Sequence, residues 1–241
     1  MIHTETILYQ DPESALTLEG VISWDDTVQQ QRPGILVAPT FKGQSAFENE
    51  KTVALAEMGY VGFAIDVYGQ GRRASAPEEA RQLMEELNQD RPLLLRRMEL
   101  ALQTLQEHDK VDHTRVGALG FCFGGKCVLD LARSGADLRG VVSFHGVYDP
   151  PGIAHTDPIR ASVLVLHGWE DPLSPPEQTV ALAQELTERQ ADWQIHAYGH
   201  TGHAFTNPVA QAPDDGMFYQ EQSNRRSWIA MTHFWKEVFR T

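Results

Sequence analysis

Arg115-Val-Gly-Ala-Leu-Gly-Phe-Cys-Phe-Gly-Gly-Lys-Cys-Val-Leu-Asp-Leu131 is the stretch whose reading decides the fold. Val116 to Phe121 is a short apolar run, the pattern of a buried strand, and Gly125 to Leu131 reads as the start of a helix. Cys122 therefore falls where strand becomes helix. Gly120 and Gly124 flank it in the pattern Gly-x-Cys-x-Gly, a thiol version of the nucleophile elbow Gly-x-Ser-x-Gly, where the chain reverses too sharply for a Cβ on either side. Such a turn lifts the thiol out of a sheet. It also sets the sulfur at a helix N-terminus, where unpaired N–H groups and the dipole favour the thiolate.

Two other readings compete with the elbow. A free cysteine is commonly a small buried hydrophobe. Gly120 to Cys127 also approaches the phosphate-binding loop Gly-x-x-x-x-Gly-Lys-Ser/Thr, which makes a nucleotide-binding protein the rival function and a non-catalytic α/β binding module the third. Cys127, however, lacks the hydroxyl that would ligate magnesium, and two phenylalanines are bulky for a loop that wraps phosphate.

Outward from this stretch, strand and helix alternate. Thr4 to Tyr9 and Leu16 to Trp24 read as an antiparallel hairpin at a sheet edge, and Ile35 to Ala38 as a strand covered on both faces. Phe47 to Met58 is a helix stopped by Gly59, and Tyr60 to Val67 is the next strand. Ala76 to His108 is helical with a break at Pro92, and Leu94, Met98, Leu102 and Leu105 fall on one face, a core face by default. Beyond the elbow, Val141 to His145, Ser162 to His167 and Trp193 to Tyr198 are strands. Pro175 to Gln190 and Glu221 to Arg240 are helices. The alternation predicts an α/β fold, a mostly parallel sheet with helices on both faces, with chemistry at the carboxyl ends of strands.

The 241 residues suit one domain over 1–241, and the net charge of −13 with no basic patch argues against nucleic acid or an anionic membrane as partner. Only two cysteines are present, five positions apart in one strand-to-helix element, so no disulfide framework is expected. The N-terminus has no signal-like segment, and no apolar run approaches the roughly 18 residues of a membrane span. A cytoplasmic protein is the expectation.

Two further loops carry candidate chemistry. After the strand ending at His167 comes Gly-Trp-Glu-Asp171-Pro, and after the strand ending at Tyr198 comes Gly-His200-Thr-Gly-His203-Ala-Phe205. The order nucleophile, acid, histidine is that of the α/β-hydrolases. We read Asp171 ahead of Glu170 as the acid and His203 ahead of His200 as the base. An imidazole can take the thiol proton, a carboxylate can hold the ring, and two amides can receive the oxyanion, here Phe123 after the nucleophile and Phe41 in the loop after Ala38. Metal ligation is not expected. There is no His-Glu-x-x-His, and His200 and His203 lie on a glycine-rich loop rather than on one helix face.

These motifs, together with Asp66-Val-Tyr68-Gly, resemble the dienelactone hydrolase family, α/β-hydrolases with a Cys-Asp-His triad, from about Ile35 to the last helix. The resemblance implies an esterase or lactonase with no cofactor, a small-molecule ester substrate and a homodimer. It also exposes departures. Members acting on dienelactone carry a glutamate and two arginines that fall here on Thr40, Gln70 and Asn207, with Arg72 close to the first arginine position. A substrate carboxylate would then lack its ionic partners, which is costly in a buried site, so uncharged esters are the expected substrates. Phe41, Tyr68, Phe123, Trp169 and Phe205 are expected around the pocket. The spacing also looks like that of relatives that hydrolyse phosphotriesters promiscuously.

Overall fold

The computed structural model describes residues 1–152 and 157–240. The chain divides into two compact units, residues 1–119 and 120–241. In the first, β1 (Ile2–Gln10) and β2 (Thr17–Asp25) form the expected antiparallel hairpin, with Tyr9 opposite Leu18. β2 then pairs antiparallel with β4 (Val61–Ala64), and β4 pairs parallel with β3 (Arg32–Ala38), Leu36 beside Phe63.

Helix α1 (Ala46–Glu57) packs on these strands and begins with a capping box, in which Ser45 and Glu48 satisfy each other's backbone N–H groups. Helices α2 (Pro77–Gln89) and α3 (Arg91–Gln106) follow. Their break falls at Asp90, whose carboxylate caps α3 by accepting the Leu93 N–H, with Pro92 inside the first turn where its missing N–H is harmless. Leu94, Met98, Leu102 and Leu105 are all buried.

The strand expected over Tyr60 to Val67 ends early, at Ala64. The cause is Asp66, which is fully buried; its Oδ1 accepts the N–H groups of Tyr68 (2.8 Å) and Gly69 (3.0 Å) and its Oδ2 that of Glu19 (3.1 Å). A buried carboxylate collects donors, and it bends the chain out of the ladder to reach them.

β5 (Val111–Phe121) carries the chain from the first unit into the second. There α4 (Phe123–Arg133) packs on β6 (Gly140–Phe144). β6, β7 (Ser162–Gly168) and β8 (Trp193–Tyr198) are parallel neighbours, with Val165 between Ser143 and Ile195. Helix α5 (Pro176–Glu188) joins β7 to β8, and α6 (Glu221–Phe239) packs on β6 and β7 through residues that include buried Met231, Phe234 and Trp235. A small hairpin, β9 (Gln211–Ala212) and β10 (Met217–Phe218), had no signal in the sequence, being too short for periodicity. Among the described residues no helix is long and apolar enough to cross a membrane.

Candidate active site

The elbow forms where the sequence predicts it. Cys122 has φ 57° and ψ −116°, a backbone conformation that side-chain-bearing residues avoid and that costs on the order of 1–3 kcal/mol. Its N–H donates to the Phe144 carbonyl at 3.0 Å, and its carbonyl accepts the Gly125 N–H at 3.0 Å, so the strained residue is held from both sides. A Cβ on Gly120 would lie 2.1 Å from the Gly124 carbonyl oxygen, and one on Gly125 would lie 2.7 Å from Gly146 Cα. Gly120 thus has the role assigned to it, and Gly125 is where the new helix touches the neighbouring loop. Cys122 is half-buried and Cys127 fully buried, and among the described residues neither is in a disulfide. Lys126 does not face a phosphate site: it is buried and paired with Asp149 at 2.8 Å.

Asp171 follows β7 and His203 follows β8, both almost wholly buried. Asp171 Oδ2 is 2.7 Å from His203 Nδ1, while Oδ1 accepts the Leu173 N–H at 2.8 Å. Gly168 lets the two loops approach, since a Cβ there would lie 2.4 Å from the Gly202 carbonyl oxygen. His203 is also fixed by its backbone, with its N–H donating to the Gly216 carbonyl (2.7 Å) and its carbonyl accepting the Phe218 N–H (3.1 Å) at the edge of β10. Among the described residues His203 Nε2 is buried and has no nitrogen or oxygen partner.

His203 and Cys122 act on each other electrostatically. Burial works against a charge on His203, yet attraction to Cys122 and the hydrogen bond to Asp171 raise its pKa to about 10. Burial likewise pushes the Cys122 thiol up, but the facing His203 cation, its hydrogen bond and the Phe123 N–H together bring it below the ordinary thiol value. Thiolate and imidazolium stabilise each other.

The reserve residues form a separate surface pair, His200 Nδ1 lying 3.3 Å from Glu170 Oε1. Of the expected pocket aromatics in this unit, Trp169 is 45% exposed, whereas Phe123 and Phe205 are core. Phe205 packs its ring against His145 and Tyr198, so it supports the site from behind instead of fringing a pocket. Asn207 closes a turn, its Oδ1 accepting the Val209 N–H at 3.2 Å.

The remaining candidates belong to the first unit. Tyr68 is buried, and its hydroxyl donates to the Phe41 carbonyl at 2.9 Å. Gln70 donates to Glu19 (2.9 Å) and Arg72 to Glu86 (3.1 Å), so both have carboxylate partners within the chain. Thr40 brings no acid, but Glu48 does: fully buried, it accepts the N–H groups of Thr40 (3.0 Å) and Ser45 (2.9 Å). Burial raises its pKa against those hydrogen bonds. The Ser45-x-x-Glu48 spacing of a capping box was the signal that could have found it.

Among the described residues no three His, Cys, Asp or Glu are grouped to hold a metal ion. A cavity of about 630 Å³ beside α5, among Tyr148, Gln178, Leu182, Glu185 and Arg189, is lined by none of Cys122, Asp171 and His203.

The dienelactone hydrolase family model matches residues 18–239. The chain belongs to the dienelactone hydrolase family. It is similar over 99% of both chains to the structure named m3DLH (37% identity, TM-score 0.93). It is also similar, over 98% of both, to a dienelactone hydrolase-like promiscuous phosphotriesterase from metagenomic libraries (32% identity, TM-score 0.92). A carboxymethylenebutenolidase of Pseudomonas putida is 24% identical over 179 residues, 72% of this chain and 75% of that one. The protein is thus an α/β-hydrolase-fold enzyme acting on ester bonds.

Proposed function

We propose that this family member hydrolyses uncharged carboxylic esters or lactones through a covalent thioester on Cys122. The observation that carries the reading is the buried chain Asp171 Oδ2 to His203 Nδ1 at 2.7 Å, with His203 Nε2 left for the thiol at a strained elbow. The thiolate sulfur attacks the carbonyl carbon, and the carbonyl π pair moves to oxygen. The Phe123 amide receives that oxyanion. As the tetrahedral intermediate collapses, the C–O bond to the alcohol breaks and His203 Nε2 gives it a proton. Neutral His203 then takes a proton from water, whose oxygen attacks the thioester and releases the acid and the thiolate, restoring the imidazolium. Asp171 holds the ring and stabilises its cation throughout.

The same thiolate could displace an aryloxide from a neutral phosphotriester, and the likeness to a promiscuous phosphotriesterase supports that second activity. The test is a slow activated aryl ester followed by stopped-flow and mass spectrometry. A burst of phenol with an acyl group on the Cys122 peptide is expected, and Cys122→Ala should lose turnover. Full activity in Cys122→Ala would remove the thiol from the mechanism.

A further inference from the structure

His145, the residue after β6, has a part in neither the triad nor the family motifs described above. It is 2% exposed and sits at φ 35°, with its N–H donating to the Leu166 carbonyl at 2.8 Å. Its ring stands edge-on to that of His203, centroids 5.0 Å apart and planes at 70°. Its Nε2 is 2.8 Å from the hydroxyl of Thr206, which is itself buried and lies three residues beyond His203. Its Nδ1 is buried and has no partner among the other described residues, only its own backbone acting on the ring. A phenylalanine would fill the same space, between the rings of Phe121 and Phe205, without leaving a polar nitrogen unsatisfied. The histidine is therefore explained by what its other nitrogen holds.

We propose that His145 and Thr206 form a latch that positions His203, fixing the 203–206 turn on the end of β6 so that Nε2 stays in line with Cys122. This rests on the triad reading above. The bond to Asp171 fixes one end of the His203 ring, and its backbone is tied to Gly216 and Phe218; rotation of the ring about the Asp171 bond is left to be restrained. The latch restrains it, His145 touching the ring and Thr206 anchoring His145 to the segment just beyond it. Burial and the neighbouring His203 keep His145 well below the ordinary histidine pKa, so the ring beside the imidazolium is uncharged. An uncharged wall does not compete with the thiolate for the cation.

The test uses Thr206→Val, which keeps shape and removes the hydroxyl, Thr206→Ser, which restores it, and His145→Phe, which keeps the ring and removes both nitrogens. Thr206→Val and His145→Phe should each lower kcat about 10- to 100-fold with KM changed less than about twofold. The double variant should be no worse than the poorer single, because one bond is lost in all three. Thiolate absorbance of Cys122 should titrate at higher pH in both singles, and Thr206→Ser should return close to the parent. Unchanged kcat and thiolate titration in Thr206→Val would overturn the proposal, as would multiplicative losses in the double variant. If His145→Phe fails to fold, Thr206→Val and its serine rescue decide the matter alone. The thiolate titration needs no substrate, so it reports on the latch even if Cys122→Ala shows that the nucleophile lies elsewhere.

Discussion

At Cys122 two effects oppose each other, and the sign of their sum governs the chemistry. Burial disfavours a thiolate, while the His203 cation favours it, and the second effect wins. The pH behaviour follows. The attacking form needs sulfur deprotonated, so activity is lost as pH falls through the lowered thiol pKa. Alcohol departure needs His203 protonated, so activity is lost again as pH rises through about 10. The kcat/KM profile on an activated ester should therefore be a bell whose acid limb lies below the usual thiol range; a single limb near pH 8.5, the ordinary thiol value, would contradict the ion pair. Asp171→Asn removes the charge that helps hold the imidazolium. It should cost about 10²- to 10⁴-fold in kcat with the fold retained, as judged by circular dichroism beside the kinetics.

At the scale of elements, the elbow depends on how closely α4 can approach β6 and its following loop. Gly125 lies where a methyl group would meet Gly146 Cα at 2.7 Å, backbone against backbone, with the Ser143 hydroxyl at the same distance. The Gly146 backbone cannot rotate away as a side chain would. Gly125→Ala should cost about 1–3 kcal/mol and displace the N–H groups around Cys122. Gly135, just after α4, has φ 81° but open space where its Cβ would lie, so Gly135→Ala carries only the backbone penalty of about 1 kcal/mol. Urea unfolding of the two variants checks the order. Activity separates them further, since only Gly125→Ala should lose kcat beyond its loss of stability.

For the whole molecule, the net charge of −13 sets a field that every substrate crosses. Anionic esters are repelled at long range, and the carboxylate partners of Gln70 and Arg72 leave those groups engaged within the chain. Matched aryl esters with and without a remote carboxylate should therefore differ in kcat/KM, the neutral one being faster. The gap should narrow with added salt as screening shortens the reach of the field. Equal rates at low salt would show that a local cation compensates.

Much of this was legible in the chain itself. Strands and helices declare themselves through periodicity and through glycine and proline punctuation, because burial rewards one face of each element. The candidates Cys122, Asp171 and His203 could be named because an elbow needs glycines at fixed offsets and because α/β topology returns the ends of successive strands to one edge, and the structure brings Asp171 to 2.7 Å from His203. What only the tertiary structure decided depends on distance between segments far apart in sequence. Asp66 ended a strand by collecting donors from Glu19 and its own turn. Glu48, from the following helix, holds the loop in which Thr40 stands at the family's glutamate position. Phe205 became core instead of pocket. His145, indistinguishable in sequence from any strand-end histidine, met His203 and Thr206 only because β6 and the loop after β8 fold to within a hydrogen bond of each other. A lone polar residue has no period to betray it, and its role is set by whichever partners packing brings near.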